Sequence, residues 1–482
     1  MLIWMVLLLP IIAASVCEFL PWRIAGYVSF LFGCAAFAVA SCVAMGLLHG
    51  GTATAIDHWV GADPLSSLVL MLETFAGAIA LLFSVGMLES DEAPDSAKRR
   101  YFIWFNLFLF AGISVLLMRE IALIWLALTL TTLFSVFLVS FDRTPAALEA
   151  AWKYAMLTIL GAAIALLGIL LLYWGATRGG AVHFTFSAVG AVAADAPVPI
   201  MSLGFVLVLI GFATKAALVP FHAWLPDTYS RAPFAVCAML SILESALIPY
   251  VLLRLHFSLL GAHGVHSGAW LMVIGLVSAG GAAFLMLQTH EYKRLFAYST
   301  IENAGIILTV GSLSAAAAHT AAIWQIMTHA LTKPLVFYCA GLVFVLTGER
   351  RIANVHGLFS RSALVGGLMM LSGVAVAGAP PFALFLSELG ILKAGLASHH
   401  IWVFALLGGF MIVSFCAITY HLFGMMTGAP DAAQGVPRRM APASLAAVAL
   451  AAVPVVVFGG FIPATLQQLL SHAAAVLSGP HP

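Results

Sequence analysis

Apolar runs of about twenty residues, joined by short polar links, follow one another along nearly the whole chain. Each run is long enough to cross a bilayer as a helix, at a rise of about 1.5 Å per residue. Hydrocarbon offers no partner for a backbone N–H or C=O, so a spanning segment must satisfy its own. Unbroken apolar runs of this length, without period-two alternation, are read as helices. Fourteen are expected, at approximately 2–20, 24–48, 64–88, 101–118, 121–141, 149–175, 198–226, 232–258, 267–289, 295–314, 318–347, 363–397, 400–427 and 441–473. The expected fold is an all-α polytopic membrane protein. Its longest polar links, near 88–100 and 176–197, leave no room for a nucleotide, flavin or cluster fold, so any redox chemistry must belong to another subunit.

Composition agrees. The chain is 63% hydrophobic and 8% charged, where a soluble protein carries about 25% charged residues. A net charge of +1 suggests no nucleic-acid partner. Cys17, Cys34, Cys42, Cys237, Cys339 and Cys416 lack metal-ligand or redox spacing, so no cofactor, cluster or disulfide framework is expected. Met1 to Ser15 has no basic n-region and no small-residue cleavage site, and it reads as a first spanning helix. Basic residues sort by loop parity. Arg23, Lys98, Arg99, Arg100, Arg143, Arg231, Lys293, Arg294, Arg350, Arg351, Arg361, Arg438 and Arg439 fall on the odd side, against Arg119, Arg178, Arg254 and Lys393 on the even side. The excess places odd loops in the cytoplasm and both termini on the outer, periplasmic face of an inner membrane.

The most informative segment is Lys215-Ala-Ala-Leu-Val-Pro-Phe-His-Ala-Trp-Leu-Pro-Asp227. A lysine at membrane depth costs about 2.5–3.5 kcal/mol on insertion scales. Pro220 and Pro226 then open the helical ladder, which is tolerated at depth only against protein or a wet cavity. Pro380-Pro-Phe-Ala-Leu-Phe-Leu-Ser-Glu388 echoes this break at an offset of 161 residues, which suggests an internal repeat.

Other ionisable groups expected at depth are Glu73, Lys153, Glu244, Glu302, His329, Lys333 and Glu388, with His222 and His421 as candidates. Alternating acids, lysines and histidines within reach of one another are what proton transfer through a membrane requires. Each also has a plainer reading. Lys215 and Glu244 could form a structural ion pair, and His329 and Lys333, four apart on one helix face, could be a backbone-bonded histidine and a snorkelling lysine. Glu73 and Glu302 fit helix contacts as well as transport. His421 fits an interface, and Asp227 with Arg231 fits a surface pair.

The Lys215–Asp227 stretch, followed by Ser-Arg-Ala-Pro233, resembles the seventh helix of the antiporter-like subunits of complex I, membrane-bound hydrogenases and Mrp-type sodium/proton antiporters. Glu291-Tyr-Lys-Arg-Leu-Phe-Ala-Tyr-Ser-Thr-Ile-Glu-Asn-Ala-Gly-Ile-Ile307, His329-Ala-Leu-Thr-Lys-Pro-Leu-Val-Phe337 and Pro380–Glu388 extend the resemblance over roughly residues 100–430. The Ile-Glu-Asn and Leu-Thr-Lys-Pro-Leu variants are most similar to hydrogenase-4 component F. The resemblance implies helices 1–3 in residues 1–100 and two inverted five-helix repeats in 101–260 and 261–430, with helices 7 and 12 broken. A last helix follows in 431–482. It implies a mid-membrane proton pathway through Lys215, His329, Lys333 and Glu388, with Lys153, Glu244 and His222 as further candidates. Partners would be other membrane subunits and a peripheral redox arm, and the transported ion a proton or Na+.

Two departures stand out. The fifth-helix stretch Trp125-Leu-Ala-Leu-Thr-Leu-Thr-Thr-Leu133 puts Thr129 where the family carries a glutamate, and Ala246 falls where the eighth helix often has a lysine. Three functions follow as expectations: a proton-translocating subunit of an energy-converting oxidoreductase, a cation/proton antiporter or bicarbonate-uptake subunit without redox partner, or a structural subunit with a degenerate channel.

Overall fold

The computed structural model describes residues 1–56, 59–259, 264–398, 400–428 and 440–477. Arg438, Arg439 and the expected boundaries at 260/261 and 430/431 lie outside them. Helices α1 (Leu2–Cys17), α2 (Trp22–Gly46), α3 (Pro64–Glu89), α4 (Asp95–Leu117), α5 (Ile121–Val139) and α6 (Pro145–Arg178) come first. A short α7 (Phe186–Val192) precedes the broken pair α8 (Val198–Lys215) and α9 (Trp224–Arg231). Next come α10 (Phe234–Ile242), a π-turn at Leu243–Leu247, and α11 (Ile248–Ser258), which together make one continuous rod. Helices α12 (Ser267–Leu287), α13 (Tyr292–Gly311) and α14 (Ala316–Thr347) follow. After a one-turn α15 (Leu358–Arg361), a second broken pair is formed by α16 (Ala363–Val376) and α17 (Ala383–Ala397). Helices α18 (Ile401–Met426), α19 (Pro442–Gly460) and α20 (Ala464–Leu477) close the chain.

Every expected apolar segment falls on a helix or a helix pair. Among the described residues, eleven helices are long and apolar enough to cross a membrane, and α1 and α16 are shorter apolar helices. Three features were not anticipated. The last segment is two helices, parted at 461–463 by Pro463. The eighth contains the π-turn. A hairpin, β1 (Ala53–Ile56) with β2 (Val60–Ala62), caps one face, pairing Ala53 with Ala62 and Thr54 with Gly61.

Helices α3, α10–α11, α13 and α14 are nearly all buried, while α2, α6, α12, α18 and α19 turn apolar side chains outward. A bundle in lipid gains no hydrophobic drive from helix contact, so close backbone approach and internal polar pairs hold it together. Glycine supplies the approach. A Cβ on Gly168 of α6 would sit 2.6 Å from the Gly204 carbonyl of α8, and one on Gly275 of α12 would sit 2.6 Å from the Gly305 carbonyl of α13. A half-buried ion pair, Arg254 of α11 with Asp63, ties the rod to the start of α3, where Asp63 and Ser66 form a capping box.

Gly168→Val should force α6 from α8 and cost about 1–3 kcal/mol. Thermal unfolding of the purified chain in detergent would show a lowered midpoint, whereas Gly409→Ala on α18, with nothing within 4 Å of its added Cβ, would not.

Candidate functional site

The site grows out of the two helix breaks. After Lys215 the backbone closes back, with Leu218 N–H donating to the Ala213 carbonyl at 2.8 Å and Ala217 at φ +53°. Pro220 supplies no donor, and the freed groups find side chains instead. Trp224 Nε1 donates to the Thr214 carbonyl (2.9 Å), and Val219 N–H donates to Ser278 Oγ (3.0 Å). The α16–α17 break repeats this at the same offset of 161. Ala379 N–H donates to the Val374 carbonyl (3.2 Å), and Gly378 stands at φ +79° where Ala217 stands in the first break. Phe221 N–H to the Leu218 carbonyl recurs as Phe382 N–H to that of Ala379. The short echo in sequence is thus an echo in backbone geometry.

Lys215 ends α8 fully enclosed, its ammonium donating to Thr132 Oγ1 of α5. Thr129, the position read as replacing the family's acid, instead donates to its own helix at the Trp125 carbonyl (2.9 Å). Negative charge comes from Glu244, placed by the π-turn and buried completely. Tyr229 donates its hydroxyl to Glu244 Oε2 at 2.6 Å, while Glu244 Oε1 has no hydrogen-bond partner among the described residues. Glu244 interacts electrostatically with both Lys215 and Lys333. Ala246, in the same π-turn, is buried and carries no charge.

From there the polar groups continue along α14. Ser245 Oγ and His329 Nδ1 share a hydrogen bond of 2.8 Å, and His329 lies beside Lys333. Lys333 Nζ donates to the Phe296 carbonyl of α13 (2.6 Å) and interacts with Glu302. Glu302 accepts from Ser414 Oγ and interacts in turn with Glu388. Glu388 is half-buried on α17, its carboxylate against Gly378, where a Cβ would come within 2.9 Å of Glu388 Cδ. The positive φ and this close approach both require glycine there. A neutral bridge runs alongside: Ser387 Oγ donates to Gln325 Oε1 (2.5 Å), Gln325 Nε2 donates to Asn303 Oδ1 (2.7 Å), and Ser387 shares a hydrogen bond with Thr328 (3.0 Å).

Lys215, Glu244, His329, Lys333, Glu302 and Glu388 are therefore brought together. Lys153 is not. Expected deep inside a span, it lies near the start of α6, partly exposed, paired with Glu149 (2.7 Å) and Asp227 (3.5 Å). Its partner Asp227 also accepts from Arg294 (2.7 Å), so the expected Asp227–Arg231 pair is replaced by a Lys153–Asp227–Arg294 cluster. His222 is half-buried in the first break, its ring 6.4 Å from that of Tyr298. His421 bonds the Met286 carbonyl (3.1 Å) between α18 and α12, in keeping with an interface residue. Thr132, Ser245, Tyr229, Gln325, Asn303 and Ser387 escaped the sequence reading. Their signal was present as amides and hydroxyls inside apolar spans, which need a partner when lipid offers none.

A helical membrane bundle with two proline-broken helices flanking a buried row of lysines and carboxylates has the architecture of an antiporter-type membrane subunit. Residues 119–414 match the family described as NADH:quinone oxidoreductase/Mrp antiporter, TM, and the chain belongs to that family. It is similar to the hydrogenase-4 component F homolog of Methylacidiphilum infernorum (isolate V4), 31% identical over 76% of this chain and 79% of that one. A chain of the membrane-bound sulfane sulfur reductase, an archaeal respiratory membrane complex, shares the fold with a TM-score of 0.87 at 22% identity, over 99% of this chain and 97% of that one. A chain of the Mrp complex from Dietzia sp. DQ12-45-1b does so with a TM-score of 0.87 at 21% identity, over 98% and 97%.

Thr132→Val keeps shape and removes the hydroxyl that Lys215 uses, leaving a buried ammonium short of an acceptor at a cost of about 1–3 kcal/mol. Thr129→Val should stay within about 0.5 kcal/mol. Unfolding midpoints of the two variants in detergent check the difference, and equal midpoints would contradict the assignment.

Proposed function

We propose that this chain is the proton-translocating membrane subunit of an energy-converting oxidoreductase complex of the hydrogenase-4/formate hydrogenlyase or complex I type. Its partners are other membrane subunits and a peripheral redox arm. It crosses an inner membrane fourteen times, with two inverted repeats and both termini on the periplasmic side. Protons move along Lys215, Glu244, His329, Lys333, Glu302 and Glu388. The observation that carries this reading is the unbroken succession of buried ionisable groups ending on the half-buried Glu388, each interacting with the next: Lys215 with Glu244, Glu244 with Lys333, Lys333 with Glu302, Glu302 with Glu388. A structural network would close every polar atom, yet Glu244 Oε1 and His329 Nε2 are buried without hydrogen-bond partners among the described residues. A group that must take up and release protons keeps such an atom open.

Coupling follows from charge. A change of charge in a neighbouring subunit alters the pairing of Lys215 with Glu244, and each unit of altered proton affinity is worth about 1.4 kcal/mol. Neutralising one member then favours a proton shift at the next.

Lys215→Ala and Glu388→Ala in the assembled complex, reconstituted in proteoliposomes, should each lower proton flux about tenfold or more. An intact complex with undiminished flux in both variants would make the chain a scaffold. Flux that follows sodium and needs no redox partner would make it a cation/proton antiporter.

A further inference from the structure

A second polar region opens on the face capped by the hairpin. There a cavity of about 530 Å³ is lined by Asp63 and Ser66 at the start of α3, Leu116 at the end of α4, Tyr250 and Arg254 of α11, and Thr185. The proposed row does not reach it. Between the two lies Glu73 of α3, a buried acid that the row does not use.

Its position follows from helix geometry. Glu73 is seven residues past Ser66, two turns deeper on the same face. Its carboxylate faces Gly112 of α4, where a Cβ would lie 2.5 Å from Glu73 Oε1. Gly112 is one turn below Leu116 of the cavity wall. The same notional Cβ would lie 3.7 Å from Leu247 Cδ2, and Leu247 closes the π-turn that carries Glu244. α4 packs directly against that π-turn. Glu73 thus lies two helical turns from Ser66 of the cavity wall, with its carboxylate at Gly112 beside Leu247 at the end of the turn that bears Glu244.

Two further observations point to use. Glu73 is 2% exposed, and among the described residues Glu73 Oε2 has no hydrogen-bond partner and no ion pair engages the carboxylate. Buried side-chain oxygens are ordinarily closed by a hydroxyl or an amide, so an open one on a buried acid calls for an explanation. And the residue opposite is glycine, whose missing side chain leaves the place that the carboxylate occupies.

We propose that Glu73 is a proton relay joining the buried row to the hairpin-capped cavity. Glu244, once it has taken a proton from a lysine of the row, passes it through intervening water to the Glu73 carboxylate. Glu73 then releases it to water in the cavity beside Ser66 and Tyr250. Glu73 is then a carboxylate again, Glu244 is left ionised until a lysine of the row returns a proton to it, and one proton has left the row; the reverse sequence loads the row from the same face. The branch rests on the proposed function of the row, which specifies lateral movement and no opening on this face.

Proton flux through the full complex in proteoliposomes tests it, with assembly checked for each variant. Glu73→Gln keeps size and hydrogen bonding but cannot exchange a proton, so flux should fall about tenfold or more in an assembled complex. Infrared difference spectra on a pH step should lose one carboxyl C=O band in the same variant, a change that a packing role would not produce. Gly112→Ala keeps the acid but displaces it and should also slow flux; it decides the matter if Glu73→Gln does not assemble. Wild-type flux in either assembled variant, with Lys215→Ala inactive, overturns the branch and leaves the row standing. Wild-type flux in Lys215→Ala as well overturns the reading beneath it.

Discussion

An ammonium group in the middle of a membrane must be held, and the architecture around Lys215 is organised by that need. Isolated charge in oil is too costly to persist, so hydroxyl, carboxylate and freed backbone have to converge on it. Thr132 reaches it from α5 and Glu244 faces it from the π-turn. For these to meet, α8 must stop at Lys215, and the rod of α10–α11 must gain the extra residue per turn that rotates Glu244 inward. The break and the π-turn are two responses to one demand. Such bulges recur where a helix aims a side chain at a function.

The sequence made much of this legible, for a simple reason. In a chain with 8% charged residues, an acid or base within an apolar span stands out, and each such residue needs an explanation. Lys215, Glu244, His329, Lys333, Glu302 and Glu388 were found that way. Lys153 was misplaced because its helix begins earlier than expected, at Pro145, so the residue lies near the surface. The exchange of Thr129 for Thr132 has a different cause. Both lie in one short threonine-rich run, and three residues turn a side chain by only about 60° around a helix. Alignment to a family pattern cannot separate them, whereas tertiary packing does. The π-turn was invisible because nothing in Leu-Glu-Ser-Ala-Leu differs from ordinary helix.

The two breaks share backbone geometry yet differ in charge. Asp227, at the position matching Glu388, lies at the surface with Lys153 and Arg294. Glu388, half-buried, turns its carboxylate inward against Gly378. One scaffold thus presents an acid to solvent in one half and to the protein interior in the other. The first break uses its lysine at depth and its acid at the mouth, and the second brings only its acid inward.

That row alternates in sign from Lys215 through Glu244 and Lys333 to Glu302. Alternation keeps its sum near neutral, which is the condition for burying so many ionisable groups together. It also makes neighbours responsive to one another. At an effective dielectric of 20, two charges about 4 Å apart interact by about 4 kcal/mol, far above thermal energy, so a proton gained or lost at one group changes what its neighbour prefers. Neutrality is then restored most cheaply by the next proton along. On the proposed function, the arrangement that lets these residues exist in hydrocarbon also lets a charge change at one end be felt at the other.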